Sequence, residues 1–335
     1  MPRMSAAIVL ALFAAAPRAS ADPVADFYKG QRITIIVGSE TGGDYDVWAR
    51  MIARYMGKYI PGHPSFLVQN MPGAGGIRAS NHMYNLAARD GSQIAMSSRN
   101  SSFKALAREP GVMFDPVKFN WIGSPETTTR VCVVSNRSPV QTLPEIFEKE
   151  VIMAGAGAGT ALSTVPPLLN RLLGAKMKLV EGYASSTAAK LAIDRGEVHG
   201  LCQSLSQIVR AYFQDLGAGR LKVLFSMEKD PPPEAKAPSI FEFTKTEQQR
   251  RVLSLFSVGV QIGRPVSAPP GVPAERVAAL REAFAATMRD PELRAEAERQ
   301  GFVANLVSGE KVAGMVEDLM NTPPDIRELA GNIGD

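Results

Sequence analysis

Short apolar runs alternate with helix-like segments, and this alternation constrains the fold more than any other feature. From residue 22 onward, most β-branched runs are followed by a stretch whose apolar residues recur at helical spacing. The predicted strands cover residues 32–38, 66–70, 93–97, 120–123, 131–135, 151–154, 178–182, 198–203 and 221–226. The predicted helices between them cover residues 47–59, 78–88, 143–149, 162–173, 187–195 and 207–214. This order predicts an α/β fold with mostly parallel sheets.

The C-terminal part of the sequence is richer in helix signals. Pro273 stands at a predicted helix start, Asp290 and Pro291 open a second helix, and Gly301 ends it. Ser308 caps a third predicted helix. The residues predicted to face the core are Val277, Leu280, Phe284, Met288, Val312, Met315, Val316 and Leu319.

The first residues have the pattern of a Sec signal peptide. Arg3 precedes the apolar run 6–16, Pro17 interrupts it, and Ala19-Ser20-Ala21 has the small residues that signal peptidase requires. The run is shorter than the roughly 20 residues that a membrane-spanning helix needs. We therefore expect residues 1–21 to be removed and the mature protein to be exported, in a Gram-negative cell to the periplasm.

The composition argues against several function classes. The 335 residues include only three His and two Cys, so a zinc site built from those residues is not expected. Removing Arg3 and Arg18 with the signal segment leaves 35 basic and 33 acidic residues. This balance gives no reason to expect nucleic acid as a partner. Nothing in the sequence calls for a metal or an organic cofactor.

Three glycine-rich loops follow predicted strands and precede predicted helices. They are 38–46 (GSETGGDYD), 72–76 (PGAGG) and 155–160 (GAGAGT). At the end of a parallel strand, such a loop lets backbone N–H groups and a helix N-terminus approach an anion without any Lys or Arg. Because an exported protein meets organic acids, the loops favour a carboxylate ligand. Each loop alone is also compatible with an ordinary turn.

Enzyme signatures are missing, so we expect no catalytic activity. The sequence has no G-x-S-x-G or H-E-x-x-H motif, and the loop 155–160 lacks the last glycine of a dinucleotide fingerprint. Asp44 and Asp46 can be an acid–base pair or helix-capping residues. Because catalytic triads assemble across a fold, an exported hydrolase remains an alternative.

Taken together, the motifs resemble the substrate-binding proteins of tripartite tricarboxylate transporters, the TctC or Bug family. The likeness runs from about residue 26 to the C-terminal helices. The matching motifs are Gly42-Gly43 with Asp46, Ala49-Arg50, the segment 70–76 (NMPGAGG), Asp90-Gly91, the loop 155–160, the segment 196–200 (GEVHG) and the strand 221–224.

The resemblance implies a type II periplasmic binding protein fold, in which two α/β lobes are joined by two crossing segments and the ligand lies between them. Lobe one is then 22–125 plus 229–335, and lobe two is 126–228. The ligand contacts that it implies are Ser39, Glu40, Thr41, Gly42, Gly43, Tyr45, Asp46, Gly73, Ala74, Gly75, Gly76, Ser97, Ser98, Ala158, Gly159, Thr160, Tyr183 and Ser204. In this interpretation Asp46 supports the loop and does not touch the ligand.

The two cysteines can be separate buried thiols or a disulfide, which an oxidising compartment favours. In the fold that the resemblance implies, the strand 131–135 lies antiparallel to the strand 198–203. Cys132 and Cys202 then come close together, and we expect a disulfide between them.

Glu40 departs from the family pattern, which has small residues or proline at this position. A carboxylate that faced the cleft would repel an anionic ligand, so either Glu40 points to solvent or the ligand carries an amine or another donor. We expect Glu40→Ala to alter ligand selectivity. Unchanged affinities across a ligand panel would place Glu40 outside the site.

The function implied by the resemblance is capture of a small carboxylate and its delivery to the permease subunits of a membrane transporter. A periplasmic sensor for a membrane signalling system is the alternative on the same fold. Because the C-terminal helices are predicted to face the core, we expect a monomer.

Overall fold

The chain forms two mixed sheets with helices on both faces. The computed structural model describes residues 22–127, 129–157, 161–183 and 186–328. The strands are β1 (Arg32–Val37), β2 (Ser65–Asn70), β3 (Gln93–Met96), β4 (Asn120–Ser124), β5 (Arg130–Ser135), β6 (Val151–Ala154), β7 (Met177–Val180), β8 (Gly200–Ser204), β9 (Leu221–Ser226), β10 (Val266–Ala268) and β11 (Val307–Ser308).

The helices agree with the predicted alternation, with additions that the sequence patterns did not give. They are α1 (Pro23–Tyr28), α2 (Asp44–Tyr55), α3 (Ile77–Asn85), α4 (Asn100–Leu106), α5 (Ala161–Leu173), α6 (Ser186–Arg195), α7 (Leu205–Gly217), α8 (Glu247–Gln261), α9 (Ala274–Arg289), α10 (Pro291–Arg299) and α11 (Gly309–Met320). The predicted helix at 143–149 is only a single 3₁₀ turn, Pro144–Phe147. No described helix is both long and apolar enough to span a membrane.

The first sheet has the strand order β11-β4-β10-β3-β1-β2. Strands β1, β2 and β3 are parallel, whereas β10 runs antiparallel between β3 and β4. Ile33, Ile35 and Trp48 belong to the core on one face, while Ile36 and Trp121 belong to the core on the other. Because both faces are covered, the inner parallel strands β1 and β3 are mostly apolar, whereas the edge strand β2 alternates exposed and half-buried residues. We call the part built on this sheet the first lobe.

The second sheet has the order β7-β6-β8-β5-β9, and it defines the second lobe. Strand β6 is parallel to β7 and β8, and β5 is antiparallel to β8 and β9. Successive residues of β5 serve opposite faces: Val131 and Val133 pack with one core, Cys132 and Val134 with the other. Cys132 lies directly opposite Cys202 on β8 and forms a disulfide with it, which is the pairing that the family resemblance implied.

Helix α8 contacts both lobes. Its Gln249 side chain donates to the Leu172 carbonyl at 2.8 Å, and its Ser257 hydroxyl donates to the Met227 carbonyl at 2.6 Å. On its other side, Phe256 meets Phe103 of α4 with ring centroids 6.2 Å apart. The chain enters β10 only after this helix. The chain therefore passes from the second sheet, which ends at Ser226, to the first sheet through α8.

The three C-terminal helices begin at the predicted residues. Ser308 caps α11, and the Asp290 side chain accepts the N–H of Glu292 and Leu293 at the start of α10. Lys58 also forms an ion pair with the buried Asp290, and Tyr59 donates to it at 2.8 Å. Burial alone would raise the pKa of Asp290, but these hydrogen bonds outweigh burial and hold that pKa at about 2.

Candidate ligand-binding cleft

The loops that follow the three parallel strands of the first sheet surround a small cavity. Because β1, β2 and β3 are parallel, their carboxyl ends meet at one edge of the sheet. The cavity has a volume of about 210 Å³. Its lining residues are Gly38, Ser39, Tyr45, Gly75, Ser98, Asn100 and Lys104. Ser39, Tyr45, Gly75 and Ser98 were predicted from the sequence, whereas Asn100 and Lys104 on α4 were not.

Asp46 organises the first glycine-rich loop from inside. Its carboxylate accepts the Gly42 N–H at 2.9 Å, Arg50 Nε at 2.9 Å and Asn70 Nδ2 at 3.0 Å. Burial alone would raise the pKa of Asp46, but these three hydrogen bonds hold it below its usual value. Asn70 Nδ2 also donates to the Ser39 carbonyl at 3.0 Å. Asp46 and Asn70 thus tie the loop after β1 to the end of β2.

The second glycine-rich loop has an unusual backbone. Gly73, Ala74, Gly75 and Gly76 all have positive φ angles, of 141°, 47°, 60° and 100°. A Cβ at position 76 would lie 2.6 Å from Ser98 Cβ, so only glycine lets this loop approach the end of β3. The predicted residues 73–76 therefore shape the wall next to Ser98.

Two polar groups stand out on the cavity wall. Ser39 Oγ has no hydrogen-bond partner among the described residues, although the atom is buried. Lys104 Nζ donates to Glu109 Oε2 at 2.7 Å. The lysine side chain packs closely on Gly75, since a Cβ added to that glycine would lie 3.1 Å from Lys104 Cε. A hydroxyl without a partner and a cation next to a glycine-rich loop suit a carboxylate, which accepts several hydrogen bonds.

The other predicted residues of the first lobe are not among those that line the cavity. Ser97 is buried, and its hydroxyl lies 3.2 Å from Ser267 Oγ. Thr41 Oγ1 donates to Asn70 Oδ1 at 3.2 Å, and Glu40 is exposed. Gly43 caps α2 through its backbone conformation.

Asp44 and Asp46 do not form the acid–base pair considered from the sequence. Asp46 is engaged with Arg50, whereas Asp44 Oδ2 accepts Arg264 Nη2 at 2.6 Å. The carboxylates therefore have separate cationic partners, and each serves the structure. His63, His82 and His199 also lie among the described residues, and none of them lines the cavity.

The predicted contacts of the second lobe are only partly described. Ala158, Gly159 and Thr160 lie outside the described residues. Ser204 Oγ donates to Gln207 Oε1 at 3.0 Å, and the Tyr183 N–H donates to the Gly155 carbonyl at 3.1 Å. Strands β6, β7 and β8 run in the same direction, so the loops after them share one edge with Ser204.

Charged groups connect this edge to the first lobe. Arg210 on α7 lies 3.4 Å from Asp44, and its guanidinium carbon is 4.9 Å from the ring centroid of Phe302. Arg264 lies between α8 and β10. It pairs with Asp44 and with Glu126, which lies between β4 and β5. Burial lowers the pKa of Arg264, and the nearby Asp44 carboxylate opposes this effect. Asp44 of the first glycine-rich loop thus forms ion pairs with Arg264, which precedes β10, and with Arg210 of the second lobe.

Comparisons with known proteins identify the family. A family model described as "Tripartite tricarboxylate transporter family receptor" matches residues 49–328. The chain belongs to this family.

Among the described residues, no group of three or more His, Cys, Asp or Glu side chains is arranged to hold a metal ion. No curated protein matches the sequence.

Several solved structures share the fold. A TctC solute-binding protein from Polaromonas superposes with a TM-score of 0.72 at 20% identity, covering 91% of this chain and 99% of that one. MatC from Rhodopseudomonas palustris with bound malate has a TM-score of 0.60 at 22% identity, covering 88% and 99%. An R. palustris protein with adipate has a TM-score of 0.60 at 20% identity, covering 90% and 97%. The type II periplasmic binding protein fold is therefore confirmed for this receptor.

Proposed function

We propose that this receptor binds a small organic carboxylate between its lobes in the periplasm and delivers it to the permease subunits of a tripartite tricarboxylate-type transporter. Residues 1–21 act as the export signal and are absent from the working protein. The observation that carries the proposal is Ser39 Oγ, a buried hydroxyl without a described partner on the wall of a cavity that Lys104 also lines. We place one ligand carboxylate in this cavity.

The neighbouring loops support this placement. The N-terminus of α2 and the left-handed loop 73–76 bring backbone close to the cavity, and a helix N-terminus favours negative charge. The Lys104 ammonium adds a positive charge that can divide its hydrogen bonds between Glu109 and the ligand. Malate and adipate are bound in two structures of the same fold, which agrees with a carboxylate as the ligand class.

A thermal-shift screen of residues 22–335 against organic acids, amino acids and neutral solutes tests the ligand class. At 100 times the dissociation constant, a ligand stabilises the native state by about 2.7 kcal/mol, which raises the melting temperature by several degrees. We expect shifts with one or a few carboxylates. Shifts with amines or neutral solutes only would contradict the proposal.

Calorimetry with two variants then tests the position of the carboxylate. Lys104→Gln should weaken binding about tenfold or more, because a hydrogen bond to a charged group contributes about 1.5–3 kcal/mol. Ser39→Ala should weaken it about twofold to tenfold, as expected for a neutral donor. The matched controls are Lys118→Gln, which removes an exposed lysine near Asp115, and Ser65→Ala at the start of β2. Equal effects of the site and control variants would place the carboxylate elsewhere.

A further inference from the structure

Residues 155–157, the described part of the third glycine-rich loop, lie beside the end of β7. Strands β6 and β7 are parallel and in register from Val151 opposite Met177 to Ala154 opposite Val180. The residues after them, 155–157 and 181–183, are therefore neighbours at the edge that also leads into α7. Because Arg210 of α7 reaches Asp44, this edge faces the first lobe.

A carboxylate of the chain itself already accepts hydrogen bonds from Gly157 in this loop and from Ser163. Glu181 Oε2 accepts the Gly157 N–H at 2.8 Å and the Ser163 hydroxyl at 3.0 Å. Ser163 is only 7% exposed, and its oxygen in turn accepts the Ala156 N–H at 3.0 Å. The Gly157 N–H, before α5, and the Ser163 hydroxyl, in the first turn of α5, are donors of the type that would hold a ligand carboxylate.

Gly155 leaves room for this carboxylate. A Cβ on Gly155 would lie 2.5 Å from Glu181 Oε2 and 2.7 Å from Glu181 Cδ. Any residue larger than glycine would therefore push the glutamate away. Glu181 is nevertheless exposed to solvent as a residue, so its negative charge remains at the edge of the cleft.

We propose that Glu181 is a specificity-determining residue that stands in for a ligand carboxylate on the second lobe, so that the receptor selects ligands with a single carboxylate. The inference rests on the proposed function, which places one ligand carboxylate beside Ser39 and Lys104. The opposite end of the ligand then meets Glu181 and is uncharged or cationic. A second carboxylate would have to displace Glu181 from Gly157 and Ser163 or lie next to its charge.

Matched acids of equal chain length test this selection. Binding of hexanoate, adipate and 6-aminohexanoate, and of butyrate, succinate and 4-aminobutyrate, is measured by calorimetry with residues 22–335. Glu181→Gln keeps an oxygen acceptor for Gly157 and Ser163 but removes the charge. Glu298→Gln on α10 is the control, because it removes one exposed carboxylate outside the two lobes' facing loops.

For the wild-type protein we expect the diacid of a series to bind at least about tenfold more weakly than the monoacid or the amino acid, since like charges in an interface cost several kcal/mol. Glu181→Gln should strengthen diacid binding about tenfold with little change for the monoacid, and Glu298→Gln should change neither. Two results would overturn the role of Glu181 and leave the proposed function intact. One is equal affinity for monoacid and diacid, and the other is a ratio of these two affinities that Glu181→Gln leaves unchanged. If no acid bound to either protein, the proposed carboxylate receptor would fail, and this inference with it.

Discussion

Reduction of the Cys132–Cys202 disulfide should destabilise the receptor strongly. The bridge joins residues separated by 70 positions, so it removes much of the conformational freedom of the unfolded chain. The chain-entropy relation for a loop of this length gives about 4.4 kcal/mol at 25 °C. Both cysteines are fully buried, so the folded protein exposes neither of them to solvent. We therefore expect the reduced protein to unfold at a clearly lower urea concentration.

Equilibrium urea unfolding of the oxidised and reduced protein measures this difference with the same side chains in both states. Each curve needs its own slope, because the unfolded chain exposes more surface once the bridge is open. The double variant Cys132→Ala/Cys202→Ala is the control, and a reductant should leave its unfolding curve unchanged. A loss of less than about 1 kcal/mol on reduction, or two free thiols in mass mapping of the native protein, would refute the reasoning.

Three further predictions concern the acid range, the second loop and the contact between the lobes. The pKa of Asp290 is held at about 2, so its stabilisation, roughly 2 kcal/mol, is present above pH 4 and lost as the pH falls from about 4 to 2; Asp290→Asn should flatten this part of the stability curve. Gly76→Ala should lower the melting temperature and ligand affinity more than Gly42→Ala, because both have positive φ but only position 76 lacks space for a Cβ; equal melting would contradict the steric argument. Arg210→Ala should weaken ligand binding by about fivefold at most, since a partly exposed ion pair with Asp44 contributes about 0–1 kcal/mol; a loss above about twentyfold would indicate a direct ligand contact.

The sequence predicts the parts of the fold that depend on local signals. The helix starts at Pro273, Asp290 and Ser308 were correct, because a cap or a proline is visible within a few residues. Strands β10 and β11 were missed. They contain only three and two residues, which are too few to show the alternation of apolar and polar residues typical of a strand. Both are held in the sheet by pairing with β4.

In the candidate site, too, only the residues with a local signal in the sequence were predictable. The glycine-rich loops pointed to the segments that contain Ser39 and Gly75, and the family resemblance implied Ser39, Gly75 and Ser98 as ligand contacts. Lys104 was missed because it lies in a short helix, α4, without a motif, and it reaches the cavity only through the packing of α4 beside the loop 73–76. The contacts of Arg264 with Glu126 and Asp44 join distant segments, which no local pattern reveals.

The place of β10 in the first sheet has a consequence for the order of folding. This strand separates β3 from β4, yet it follows the whole second lobe in the chain. The second sheet uses one continuous stretch, Arg130 to Ser226, and can pair its strands as soon as that stretch is available. The first sheet has to wait for residues 266–268. Until then β3 is paired only with β1, and the edges of β3 and β4 that will bind β10 stay unpaired. As the chain folds, the lobe that begins first is therefore expected to be completed last, and a chain truncated before β10 should expose two strand edges that favour aggregation.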